Sequence, residues 1–226
     1  MYRTPFSVVI LLASTLASSA VFAKDLKTVD ERFSYAMGFS VMQNFKRQDI
    51  QIDVDAFIQA IQDIAKNKAP SLSIEQMQAA VTEYKQSMSK RQADTAAKNL
   101  KDGQAYIEEY KKSKDTKPLS DGIYYRVLKS GTGPSPKETD TVEVNYRGVH
   151  IDGSEFDSSY KRGKSISFPL NGVIKGWTIA VQKMKVGDKW QVVIPSELAY
   201  GSKGSPGAIG PNETLVFDIE LLGIKK

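Results

Sequence analysis

Between Pro70 and Pro118 the chain holds no proline, and Gly103 is the only glycine there. Ser73-x-x-Gln76 supplies a capping-box start, so the pattern predicts one helix from Ser73 to about Lys112, with Gly103 as the point where it would bend. About 40 residues at 1.5 Å each make a rod roughly 60 Å long. Its first turns carry Ile74, Met77, Val81 and Tyr84 at helical spacing. Beyond Met88 large apolar side chains thin out. Lys90, Asp94, Lys98 and Asp102 then form an i, i+4 ladder of alternating charge, the pattern of a solvated stalk. Ser113–Ser120, with Pro118, reads as the linker that ends it. The expectation is a stalk that holds apart the segments on its two sides.

The front segment begins with an export pattern. Arg3 supplies a positive start, Phe6–Leu16 an apolar stretch and Val21-Phe22-Ala23 a small-x-small cleavage site. The apolar stretch is too short, and too interrupted by Ser and Thr, to span a membrane. Residues 1–23 are therefore expected to be a removable signal peptide, and the mature chain to start at Lys24 in the periplasm, with the outer surface or the medium as alternatives. Residues 24–72 then read as two helices. Thr28-x-x-Glu31 caps the first, through about Arg47, and its apolar residues (Phe33, Tyr35, Met37, Phe39, Val41, Phe45) cover nearly the whole wheel. A helix apolar all round needs cover on all sides. The second, about Asp53 to Lys66, presents Val54, Phe57, Ile58, Ile61 and Ile64 on one face. Fewer than about 50 residues cannot enclose that surface alone, which predicts a homodimer formed by this segment.

Residues 118–226 change period. Val142, Val144 and Tyr146 alternate with Glu143, Asn145 and Arg147, the signature of a half-buried strand, and Asp152-Gly153 marks the turn after it. Strands are predicted at Gly122–Leu128, Thr141–Val149, Ser165–Leu170, Trp190–Ile194 and Thr214–Leu222. One short helix near Lys175–Met184 interrupts them, with Ile174, Trp177, Val181 and Met184 on one face. An antiparallel sheet with a single helix packed across it is the economical arrangement, so the fold class is α+β.

Composition removes several chemistries. With no cysteine there is no disulfide, zinc–thiolate site or thiol nucleophile, and a single histidine, His150, leaves nothing from which to build a triad. A lone histidine at a strand end is expected to be inert. Loss of Arg3 with the signal would lower the net charge from +5 to +4. No segment concentrates that charge, so no nucleic-acid partner is expected.

Five segments carry a resemblance: VNYRG, FDSSYKRGKSISF, VIKGWTIAVQKMKVGDKW, IPSELAYG and GAIGPNETLVFDIELL, in that order. Together they resemble the signature of the FKBP-type peptidyl-prolyl cis-trans isomerases. The helical front half and the export signal are similar to the macrophage infectivity potentiator (Mip) branch of bacterial members. The resemblance implies a helical dimerisation domain at 24–72, a connecting helix and linker at 73–117, and an isomerase domain at 118–226. That last domain would be an antiparallel half-barrel wrapped on its short helix. It implies a catalytic set of Tyr146, Asp157, Tyr200 and Phe217, and substrate contacts from Phe156, Arg162, Ile166, Val173, Ile174, Trp177 and Ile209. Ile166 departs from the aromatic common at its place, and Gly172, Ser205 and Ala208 also depart, all at the rim. Implied partners are proline-containing unfolded or partly folded proteins and macrolides of the rapamycin type; no cofactor or metal is called for. A chaperone, or a surface interaction protein using the same pocket, is the alternative activity. For the export signal the check is direct: intact mass of protein from the periplasmic fraction should start at Lys24, and recovery of Met1-containing chain in the membrane pellet would overturn it.

Overall fold

A computed structural model describes residues 25–225. The stretch 1–23, expected to be a signal peptide, lies outside the described residues. The chain divides after Asn44 into two compact units. In the first, the described residues are chiefly those of helix α1 (Val29–Arg47), whose last three residues fall past the boundary. Its capping box forms as the sequence predicts: Glu31 N donates to Thr28 Oγ1 at 3.1 Å, and Thr28 N donates to Glu31 Oε2 at 3.0 Å. No residue of α1 is buried in the single chain, and Phe33 and Phe39 stay 64% and 55% exposed.

The second unit opens with α2 (Val54–Ala65), capped by the Asp53 carboxylate on Ala56 N, and α3 (Ile74–Tyr110). α3 runs 37 residues without a break, so Gly103 does not end it. Ser73 and Gln76 exchange both capping-box bonds. Near its start, α3 holds the loop before α2 through Gln51 N donating to Tyr84 Oη at 2.9 Å. Ile58, Ile61 and Ile64 of α2 remain exposed. Among the described residues no helix is long and apolar enough to cross a membrane.

After α3 come β1 (Lys117–Pro118), β2 (Tyr124–Lys129), β3 (Thr141–Val149), β4 (Glu155–Ser158), β5 (Ile166–Pro169), α4 (Lys175–Val181), β6 (Lys189–Ile194) and β7 (Leu215–Lys225). All strand pairs are antiparallel, in the order β1-β2-β6-β7-β3-β4, and β5 pairs with the first half of β3. β3 has the bounds its alternation predicts. The four-residue β4 and two-residue β1 are additions, too short and polar for a period-2 signal. The stretch read as a linker thus includes β1, paired with Tyr124 and Tyr125.

Alternation decides the core. Val142, Val144 and Tyr146 of β3, Val192 and Ile194 of β6, and Leu215, Phe217, Ile219 and Leu221 of β7 face α4, which returns Trp177, Ala180 and Val181. Gly176 lets α4 approach, because a Cβ there would sit 2.8 Å from Ile194 Cδ1. On the opposite face of the sheet Val149, Val193 and Val216 gather around Tyr110.

That second cluster corrects the solvated-stalk reading of α3. From Ala96 onward the helix has a packed edge, formed by Asn99, Gly103, Tyr106 and Tyr110 at spacings of four, three and four. Asn99 Nδ2 donates to Pro211 O at 2.9 Å, and Asn212 Nδ2 donates back to Ala96 O at 3.4 Å. Arg126 stacks 4.0 Å over the Tyr110 ring. The seam escaped the apolar count because a glycine, an amide and two tyrosines make it, not leucines. The Lys98–Asp102 rung of the ladder forms beside this edge, with Lys98 73% and Asp102 40% exposed.

Gly103 supplies the next test. It is buried, and a Cβ there would press within 2.9 Å of Thr214 Cβ. Alanine brings about 1 kcal/mol of helix propensity, but overpacking against a β-branched neighbour costs about 1–3 kcal/mol. Gly103→Ala should lower the melting temperature by about 2–4 °C; an unchanged or higher value would show that this seam is not packed.

Candidate active site

The inward face of β3 places Tyr146 at the mouth of a cleft of about 620 Å³. β4 pairs with the end of β3, and their register slips between Gly148 and Val149. Such a bulge re-aims neighbouring side chains, and both Phe156 and Asp157 line the cleft. Gly148 lets the rings meet: a Cβ there would lie 2.6 Å from Phe156 Cζ and 2.9 Å from Phe217 Cε1.

Trp177, 5% exposed, is the floor. Tyr146 and Phe217 stand edge-on to it at ring separations of 5.2 and 5.3 Å, Phe168 tilts against it at 5.6 Å, and Phe156 stands edge-on to Phe217 at 5.6 Å. Edge-to-face geometry at these separations suits the ring quadrupoles, so the box is held by its own rings. Ile166, Val173, Ile174 and Tyr200 complete the rim.

One wall is polar. Tyr146 Oη donates to Asp157 Oδ2, Arg162 Nη1 donates to Asp157 Oδ1, and Arg162 Nη2 donates to Tyr146 Oη at 2.7 Å. Desolvation by itself would raise the Asp157 pKa. The bonds from Tyr146 and Arg162, with the guanidinium charge, outweigh it and hold the carboxyl below its ordinary value. Asp157 is therefore an anion across neutral pH. Burial raises the Tyr146 hydroxyl, and the bond to Asp157 adds to that shift, so the phenol keeps its proton. Burial likewise raises Tyr200, helped by the Asp157 charge. Among the described residues the Tyr200 hydroxyl has no hydrogen-bond partner in the protein, which leaves its donor free for a ligand.

The cleft brings together Tyr146, Phe156, Asp157, Ile166, Val173, Ile174, Trp177, Tyr200 and Phe217. Arg162 stands behind Asp157 as its partner, and Ile209 lies in the core, 7% exposed, outside the cleft lining. Phe168 and Gly172 line the cleft although sequence reasoning did not choose them as contacts. Phe168 was findable, since it shares a strand face with Ile166 by the two-residue period. His150 is not free: its Nδ1 lies 2.6 Å from Glu213 Oε2, and its ring tilts against Phe156 at 5.1 Å.

An antiparallel sheet packed on one helix carries an aromatic box with a fixed carboxylate at its edge, an arrangement with room and chemistry for a small apolar ring. The comparisons agree. The family model described as FKBP-type peptidyl-prolyl cis-trans isomerase matches residues 133–222, and that of the domain amino terminal to it matches residues 30–127. Peptidyl-prolyl cis-trans isomerase Mip of Coxiella burnetii is 40% identical over 226 residues, covering 98% of this chain and 97% of the relative. Outer membrane protein MIP of Legionella longbeachae is 39% identical over 219 residues, covering 95% and 94%. The crystal structure of FkpA from Escherichia coli superposes with a TM-score of 0.66 at 43% identity, over 89% of this chain and 99% of that one. The chain belongs to the FKBP-type peptidyl-prolyl cis-trans isomerases, as the five segments implied.

Proposed function

We propose that the Trp177-floored box is where this isomerase turns X-Pro bonds of protein substrates, and that it assists their folding after export. The observation that carries this reading is the pairing of an apolar ring box with Asp157 held by Tyr146 and Arg162, in a cleft also lined by Tyr200, whose hydroxyl has no partner among the described residues. An X-Pro bond has nearly balanced isomers but crosses between them over tens to hundreds of seconds, because amide resonance must be broken. The proline ring enters over Trp177. Apolar walls then strip water from the imide, which favours the twisted, less charge-separated amide. Tyr200 donates to a substrate backbone carbonyl, and Asp157 supplies a fixed negative field beside the rotating bond. Moving a relaxation from ~100 s to ~1 ms requires about 7 kcal/mol. Complementarity to the twisted state provides it, without a nucleophile. A rapamycin-type macrolide is expected to compete for the same box.

The division we propose is a signal at 1–23, a dimerisation domain at 24–72, a connecting helix and linker at 73–117 and an isomerase domain at 118–226. Exposed rings on α1 and exposed isoleucines on α2 support a homodimer. They also support the second reading, a chaperone whose apolar surfaces hold unfolded chains while isomerisation is secondary. A periplasmic location fits the export pattern, and the outer-surface alternative fits the Legionella relative's being called an outer membrane protein.

Two measurements test these readings. In a protease-coupled tetrapeptide assay Asp157→Ala should lower kcat/KM by about tenfold to a hundredfold, as one electrostatic contribution among several. Tyr200→Phe, which removes one hydrogen bond, should lower it about fivefold; wild-type rates in both folded variants would sink the assignment. In sedimentation equilibrium residues 24–226 should form a dimer, and Met37→Glu should give monomers because a bare charge would enter a buried seam. A monomeric wild-type chain at micromolar concentration would rule that interface out.

A further inference from the structure

The sequence leaves His150 without work, yet its surroundings are specific. It follows the last residue of β3, and its imidazole is about three-quarters buried, as is Glu213. One face of the Phe156 neighbourhood is the cleft, where Phe156 meets Phe217; the His150 ring is a second contact of Phe156, outside the cleft lining. Four charged groups share the pocket with the imidazole: Glu213, Asp152 from the adjoining turn, and Lys98 and Asp102 from α3. Asp152 accepts from the Ser154 backbone and hydroxyl, and Lys98 is bound to Asp102. Glu213 is the acceptor left for the imidazole. With the proton on Nδ1, the imidazole donates to the Glu213 carboxylate.

The segment that carries Glu213 is in turn held from α3. Gly210 passes so close that a Cβ there would lie 2.7 Å from Glu213 Oε1 and 3.2 Å from Asn99 Nδ2. Asn99 grips Pro211 O, Asn212 grips Ala96 O, and Gly103 abuts Thr214. Contacts therefore run unbroken from α3 through residues 210–214 to His150 and on to the Phe156 wall. We propose that His150 and Glu213 are positioning residues for Phe156, and that docked α3 sets their position, tying the connecting helix to substrate binding in the cleft. The inference rests on the box being the site of isomerisation.

Phe156 is a wall that holds the substrate, so loosening it should weaken binding of ground state and transition state alike and raise KM with kcat kept. The full-length mature chain is assayed with the tetrapeptide, each variant beside a melting curve. His150→Ala and Glu213→Ala should each raise KM about threefold to tenfold, the range an aromatic contact is worth. The double variant should be no worse than either single, because both break one device. Glu213→Gln, which keeps an acceptor, should recover most of the loss, and Asn99→Ala should shift KM in the same direction. His150→Asn replaces His150→Ala if the latter melts below the assay temperature. Unchanged KM in the folded single variants, a fall in kcat instead, or additive effects in the double variant would overturn the proposal. Wild-type activity that ignores Asp157→Ala and Tyr200→Phe would instead strike at the box itself.

Discussion

Everything in the cleft hangs on Trp177 lying flat under the edges of Tyr146 and Phe217. These three rings come from α4, β3 and β7, so their contact exists only when the helix is seated on the sheet. Gly176 permits the seating by letting helix backbone approach Ile194, and Gly148 permits the fourth ring by leaving room for Phe156 beside Phe217. Two missing side chains thus define the box as much as the rings present do. The same contact makes core and site inseparable: Phe217 is 3% exposed and is at once a buried residue of the sheet and a wall of the cleft.

The polar edge obeys a different logic. Asp157 and Arg162 are both about two-fifths exposed, and a pair so wet adds little to stability. Its worth is directional. Tyr146 and Arg162 each bond the carboxylate and each other, so the negative charge is fixed in place before any substrate arrives. In the proposed mechanism, preorganisation of this kind costs no reorientation as the bond twists.

Much of this was legible in the chain. β3 could be read because alternation from Val142 to Arg147 is unambiguous, and α1 and α3 announced their starts through capping boxes whose bonds form. The five segments pointed to the family that the comparisons show. What could not be read was contact between distant stretches that leaves no periodic trace. The docked edge of α3 uses Asn99, Gly103 and two tyrosines, which an apolar count passes over. Ile209 was chosen by its place in a motif, but packing turned it into the core. His150 looked idle because its acid partner is 63 residues away.

The cluster on the sheet's outer face gives the docked helix one more consequence. Val149, Val193 and Val216 point away from α4, and Tyr110 covers them with help from Tyr106 and Ile107. The natural cut in the sequence falls near Lys117, where α3 is over and the strands begin, yet a chain severed there would carry three bare valines on adjacent strands. The packed body of the strands therefore begins in space about two turns of helix before the strands begin in sequence, and those turns act as the lid of a second, smaller core.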